Sequence, residues 1–229
     1  MSRNQIINEG EDSPGRVVFL FDVDNTLLDN DRVTADLKRQ LEGVLGHERQ
    51  ERYWSTFEEL RAELGYADYL GALQRYRAIY PRDPHVLTVS EFLLHYPFAD
   101  RLFPKSLETV EYARQFGTPV ILSDGDVVFQ PHKIHDSGLY KAFAGEVLIY
   151  IHKERELEDV ENRYPADHYF LIDDKLRILT DVKKMWDQRV TTIFVRQGHY
   201  ALDEKAISSY PSADITIDNI GDMLRNGGI

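Results

Sequence analysis

The chain has 229 residues, 42% hydrophobic and 29% charged, with a formal net charge of −12 and no cysteine. It is long enough to bury a sizeable core, as one domain or as a core with a smaller insertion, and it excludes disulfides, thiolate catalysis and thiolate-bound metal. The negative charge argues against a surface for nucleic-acid polymers, which needs clustered Lys and Arg; a small phosphorylated metabolite or nucleotide remains admissible if a metal ion meets its charge locally. The polar first residues, ending in Ser13-Pro14-Gly15, hold no apolar core of a signal peptide, and no later run reaches membrane-spanning length. Residues 1–15 are therefore expected to form a loose leader, no membrane partner is expected, and the expected location is cytoplasmic.

The first predicted element is the run Val17-Val18-Phe19-Leu20-Phe21, which stops at Asp22-Val23-Asp24-Asn25-Thr26. An apolar run of this length bounded by polar turn formers reads as a strand buried on both faces of a parallel sheet. Its acids then stand at the carboxyl end, where open α/β sheets hold ligands. Residues i and i+2 of extended backbone share a face, so Asp22 and Asp24 can converge on one ligand. A calcium loop of the EF-hand type would need Gly at its sixth position and Glu at its twelfth; Leu27 and Val33 occupy those places.

Over 34–96 the pattern turns helical. Leu37, Leu41, Val44 and Leu45 share one face, and so do Trp54, Phe57, Leu60 and Leu64 before Gly65. Leu70, Leu73, Tyr76 and Tyr80 continue until Pro81, and Thr88-Val89-Ser90-Glu91 reads as a capping box opening a fourth helix. Four helices with short links suggest a bundle inserted after the first strand. Tyr66, Tyr69, Tyr76 and Tyr80 are expected to pack this bundle or its outer face, with ligand binding as the alternative, and Arg61, Arg75 and Arg77 to pair with nearby acids, with contact to a substrate phosphate as the alternative for one of them.

Alternation returns near Pro104. A helix over 106–116 leads to Pro119-Val120-Ile121-Leu122, a strand ending in Ser123-Asp124-Gly125-Asp126. Alone, Ser123 is an ordinary turn former; at the same sheet end as Asp22 it is placed to bond a phosphoryl oxygen. His132-Lys133-Ile134-His135-Asp136 lacks the spacing of a two-histidine metal helix and reads as a polar helix ending at Gly138, with Leu139 and Phe143 inward. A third strand, 146–151, precedes His152 and Lys153, which brings a cation to the strand ends. A fourth, 169–172, ends in Asp173-Asp174-Lys175. With Asp22 and Asp24, the adjacent Asp173 and Asp174 make an oxygen-rich nest suited to Mg²⁺. Leu176, Leu179, Val182 and Trp186 line a following helix, and 190–195 and 213–217 supply later strands.

Taken in order, Asp22-Val23-Asp24-Asn25-Thr26, Ser123, Lys153 and Asp173-Asp174 resemble the four motifs of the haloacid dehalogenase-like (HAD) hydrolase superfamily, each at a strand end. The resemblance covers 17–28 and the chain from Ser106 onward. It implies an α/β fold: a Rossmann-like core with a parallel sheet over 16–30 and 104–229, and an inserted all-helical cap of the C1 type over 31–103. Only 30 positions separate Ser123 from Lys153, too few for the larger second type of cap.

By the same resemblance, Asp22 is the nucleophile that forms an aspartyl-phosphate, and Asp24 the acid that protonates the leaving group and later activates water. Ser123 holds phosphoryl oxygens and Lys153 neutralises the nucleophile and the transferring group. Asp174 binds Mg²⁺ together with Asp22 and the backbone carbonyl of Asp24, while Asp173 anchors Lys153. The expected activity is Mg²⁺-dependent hydrolysis of a small phosphate ester. The alternatives are a non-catalytic phospho-ligand-binding or scaffold protein and, further off, a 2-haloacid dehalogenase, since family dehalogenases generally lack the second aspartate of the first motif. Specificity would reside in 29–102, which carry no readable code.

Overall fold

A computed structural model describes residues 15–225; of the leader expected over 1–15, only Gly15 falls within them. In chain order, β1 (Val17–Phe21) is followed by four helices, α1 (Asn30–Leu45), α2 (His47–Leu64), α3 (Tyr69–Ile79) and α4 (Val86–Leu94). Then come α5 (Ser106–Ala113), β2 (Thr118–Asp124), α6 (Phe129–Asp136), α7 (Leu139–Ala142), β3 (Val147–Tyr150), α8 (Leu157–Arg163) and β4 (His168–Asp173). The chain closes with α9 (Leu176–Trp186), β5 (Val190–Val195), α10 (Gly198–Leu202), α11 (Glu204–Ser208) and β6 (Ile215–Ile217).

The six strands form one sheet in the order β3-β2-β1-β4-β5-β6, parallel throughout. Sequence order reverses at β1, so β1 and its neighbours flank the crevice where this topology binds ligands. The register sets the strand ends level: Phe21 lies opposite Ile121 and Ile172, and the Asp22 N–H donates to the Ile172 carbonyl at 2.9 Å.

Side-chain alternation along β1 sends Val18 and Leu20 to one face and Phe19 and Phe21 to the other. The first pair packs with Val120, Leu122, Leu171 and the apolar stripe of α9. The second joins a cluster that runs without a break into the inserted helices, through Leu37, Tyr53 and Tyr76. Phe129 is the joint, its ring 5.3 Å from Tyr69 and 5.7 Å from Phe98. Burying one such ring stabilises the fold by roughly 2–3 kcal/mol, so the inserted helices are held to the sheet by core packing.

Two backbone segments connect the insertion to the sheet, and they pair with each other: Leu28 bridges Leu102, and the Asp29 N–H donates to Arg101 O at 2.8 Å. The fourth helix starts earlier than its expected capping box. Thr88 lies inside α4, and the turn ahead of the helix is built on Asp83, whose Oδ1 accepts from the His85 N–H at 3.0 Å. Pro84 fixes the backbone of that turn, and the N-cap of α4, His85, makes no side-chain capping bond.

Candidate active site

The turn after β1 is wound tightly: the N–H groups of Leu27 and Leu28 both donate to Val23 O, at 3.0 and 2.9 Å. Asn25 takes a left-handed φ of 62°, which Asn tolerates better than most residues. Gly198, after β5, packs against it; a Cβ at Gly198 would lie 2.4 Å from that of Asn25, so no larger residue fits. This turn buries Asp22 and leaves Asp24 half-buried two residues on.

Lys153 is fully buried in the short helical turn after β3. Its Nζ donates to Asp22 Oδ1 at 2.5 Å and to Leu122 O at 3.1 Å, and lies 2.7 Å from Asp173 Oδ2. Burial opposes the ammonium charge, but Asp173, Asp22 and Asp124 outweigh it and hold the group above the ordinary lysine value. Asp173 Oδ1 also accepts from the Lys175 N–H at 2.8 Å. Asp124, on the cavity wall, accepts from the Lys153 N–H at 2.7 Å.

Asp174 is the anomaly. It is fully buried, yet neither carboxylate oxygen has a hydrogen-bond partner among the described residues. Burial pushes its carboxyl well above the ordinary range. Asp22, Asp173 and Asp174 each offer an oxygen, all within 4.8 Å of one another. Around this point four carboxyl groups (Asp22, Asp124, Asp173 and Asp174) meet two ammonium groups (Lys153 and Lys175), so that full ionisation leaves two negative charges in excess, and burial raises three of the four carboxyls in response. A buried, unpaired carboxylate costs several kcal/mol; a hard divalent cation would supply both the missing ligand and the missing charge. The residues present therefore fit a metal ion, and Asp173 belongs to the set of oxygens able to reach it as well as to the anchor of Lys153.

Ser123 is buried at the end of β2, its Oγ accepting from Gln130 Nε2 at 2.9 Å. The carboxylate of Asp24 is not part of the metal-competent group; its Oδ1 accepts from Lys133 Nζ at 2.7 Å. Gln130 and Lys133, both on α6 and both buried, were not among the expected site residues. His132 lies outside the site, bonded to Leu94 O at 2.6 Å.

These groups open into a cavity of about 820 Å³ between the sheet and the inserted helices. Trp54, Phe57, Tyr66 and Tyr69 line its helical side, and Tyr200 and Tyr210 its far wall. Tyr69 packs in the bundle as expected, stacked on Phe57 at 4.7 Å, while also bordering the cavity with Tyr66; the Tyr76 hydroxyl bonds Asp83 at 2.6 Å. Arg75 pairs with Glu63, as expected of it, but Arg61 also reaches across to the Tyr200 hydroxyl. Lys175 is half-buried on the wall, over the Tyr200 ring, with no carboxylate oxygen within 4.0 Å among the described residues. Burial disfavours its charge, yet Asp174, Asp22 and Asp173 hold its ammonium above the ordinary value.

No helix among the described residues is long and apolar enough to cross a membrane. Among curated proteins, none matches the chain. A profile of the haloacid dehalogenase-like hydrolases matches residues 17–198. A crystal structure from Burkholderia xenovorans LB400, described as a haloacid dehalogenase-like hydrolase, is 57% identical with a TM-score of 0.88, covering 93% of this chain and 99% of that one. The L-2-haloacid dehalogenase of Xanthobacter autotrophicus shares the fold at 17% identity (TM-score 0.58; 91% of this chain, 98% of that one). So does the HAD-hydrolase YfnB of Bacillus subtilis bound to magnesium, at 15% identity (TM-score 0.60; 93% and 99%). With the profile spanning most of the chain and a relative of this identity over nearly its full length, the chain belongs to the haloacid dehalogenase-like hydrolase family.

Proposed function

We propose that this hydrolase is a Mg²⁺-dependent phosphatase that cleaves a small phosphate ester through an aspartyl-phosphate on Asp22, with residues 31–103 as a cap over the leaving group. The observation that carries the reading is the Asp174 carboxylate, buried beside Asp22 and Asp173 with both oxygens free.

In this reading an Asp22 carboxylate oxygen forms a bond to phosphorus while the bond from phosphorus to the alcohol oxygen breaks. Asp24 gives its proton to that departing oxygen, then takes one from the water that attacks the acyl phosphate. The Ser123 hydroxyl and the Lys153 ammonium hold the phosphoryl oxygens, and Lys153, paired with Asp22 and Asp173, keeps the nucleophile in place. Asp22, Asp174 and the Asp24 carbonyl would hold Mg²⁺, which supplies positive charge to offset that of the phosphoryl group. A halide leaves without needing a proton and without a metal, so 2-haloacid hydrolysis would leave Asp24 and the unpaired Asp174 without a task.

The test is hydrolysis of an aryl phosphate with Mg²⁺ or EDTA, alongside Asp22→Asn. Mg²⁺-dependent phosphate release that vanishes in the variant is expected. Halide release from a 2-haloacid with no phosphatase activity would turn the assignment to dehalogenase. Silence across a broad phosphate panel, with Mg²⁺ bound, would turn it to a phospho-ligand-binding protein.

A further inference from the structure

Lys133 is 1% exposed, one of two buried lysines among the described residues, and the chemistry just described gives a role only to the other, Lys153. Burying an ammonium is costly unless its donors are met. Here two of its three donors are met, both by groups from one stretch of chain: Asp24 Oδ1 at 2.7 Å and Asn30 Oδ1 at 3.1 Å. Asn30 is the first residue of α1, where the inserted helices begin. Three residues earlier on the same face of α6, the buried Gln130 amide meets Ser123 at 2.9 Å.

The arrangement is asymmetric. Lys133 engages Oδ1 of Asp24, whereas Oδ2 has no hydrogen bond among the described residues and the side chain lines the cavity. One oxygen is anchored and the other has no hydrogen-bond partner among the described residues. From this geometry we propose that Lys133 is a positioning residue for Asp24: by holding Oδ1 it fixes the carboxyl group with Oδ2 toward the leaving group.

The proposal rests on the phosphatase reading, and its chemistry balances within that reading. As the bond from phosphorus to the alcohol oxygen breaks, its electron pair stays on that oxygen and takes the proton from Asp24 Oδ2. Asp24 is left as a carboxylate whose Oδ1 is still held by Lys133. The benefit scales with how much the leaving oxygen needs the proton. An alkyl alcohol needs it fully; a dinitrophenolate does not need it at all. Because Asn30 shares the ammonium, the start of α1 and the orientation of Asp24 are tied through Lys133.

The experiment compares wild type, Lys133→Met, Lys133→Arg and Asn30→Ala on a series of phosphate monoesters running from ethyl to 2,4-dinitrophenyl, with Mg²⁺ present. Lys133→Met is expected to lose roughly 10²-fold in kcat on the ethyl ester, the usual range for general acid catalysis, and less than about fivefold on the dinitrophenyl ester, so that kcat depends more steeply on leaving-group acidity. Lys133→Arg should recover part of the loss, and Asn30→Ala should steepen the dependence in the same sense by a smaller factor. Equal losses across the series would reduce Lys133 to a structural lysine and overturn the proposal while leaving the phosphatase reading intact. A wild type inactive on every ester would remove both. Should Lys133→Met fail to fold, as judged by circular dichroism, Asn30→Ala decides: an unchanged dependence on leaving group overturns the proposal.

Discussion

Two buried aspartates, one in the inserted helices and one at the sheet end, show how differently the same side chain is treated in two regions of this molecule. Asp83, its side chain 1% exposed, accepts from the Tyr76 hydroxyl at 2.6 Å and from the His85 N–H at 3.0 Å, and pairs with Arg49 at 2.7 Å. Burial alone would raise its pKa; those partners outweigh it and bring the group down to about 2. Asp174, buried as a whole residue where Asp83 encloses only its side chain, has no hydrogen-bond partner among the described residues and is pushed the other way. One is a finished structural solution, with its charge compensated inside the protein. The other is compensated only when something else binds. Burial of a charge therefore does not mark function; burial without partners does.

The largest effect expected from this contrast is at Asp174. Asp174→Asn should lose at least roughly 10²-fold in Mg²⁺-dependent turnover, while in EDTA its melting temperature should match or exceed that of wild type, because a carboxylate with no partner has been removed. Mg²⁺ should raise the melting temperature of wild type and not of the variant. A variant destabilised in EDTA, with its response to Mg²⁺ unchanged, would place Asp174 in the same class as Asp83. Thermal shift with and without the metal reads the difference directly.

Lys175 supplies a smaller effect with two opposite signs. Its ammonium faces the cavity near the same carboxylates without pairing to any of them. Replacing it with Met should raise KM for an anionic substrate about tenfold, a change of about 1.4 kcal/mol. The same change should tighten Mg²⁺ binding a few-fold, since the nest becomes one unit more negative. Kinetics and calorimetric titration of Mg²⁺ separate the two. A parallel weakening of both would mean that the side chain only supports the wall.

The sequence made the strand-end residues legible because apolar runs stop abruptly at Asp22, Ser123 and Asp173, and a parallel sheet gathers such stops at one edge. Lys153 was readable for the same reason. Lys133 was not: in His132-Lys133-Ile134-His135-Asp136 it looks like any solvated lysine, and only the packing of α6 beneath the insertion turns it inward. The available signal was the spacing of Gln130 and Lys133 on one face with Phe129 and Ile134 beside them, all four buried. Tyr200 and Tyr210 were hidden for another reason. They sit in or beside helices of five residues, too short to show a period. The fold followed from alternation and turn chemistry; the walls of the cavity depended on tertiary packing that no local pattern encodes.

The smallest effect belongs to Asp83, and it tests the structural half of the comparison. Because the folded pKa lies below the ordinary carboxylate value, the ionised group stabilises the fold above the unfolded pKa, near 3.8, and that contribution is lost as pH falls toward about 2. Arg49 faces solvent, which screens its pairing with Asp83, so the contribution is about 1 kcal/mol, or about 2–4 °C in melting temperature for a chain of this length. Asp83→Asn should therefore melt a few degrees lower than wild type at neutral pH, with the gap closing between about pH 4 and pH 2. Mg²⁺ should shift both proteins equally, and kcat should stay within about twofold of wild type, since Asp83 is not among the residues that line the cavity. A gap that persisted unchanged at pH 2 would mean that the variant fails through lost packing and not through lost charge, and the contrast with Asp174 would then be one of shape instead of electrostatics.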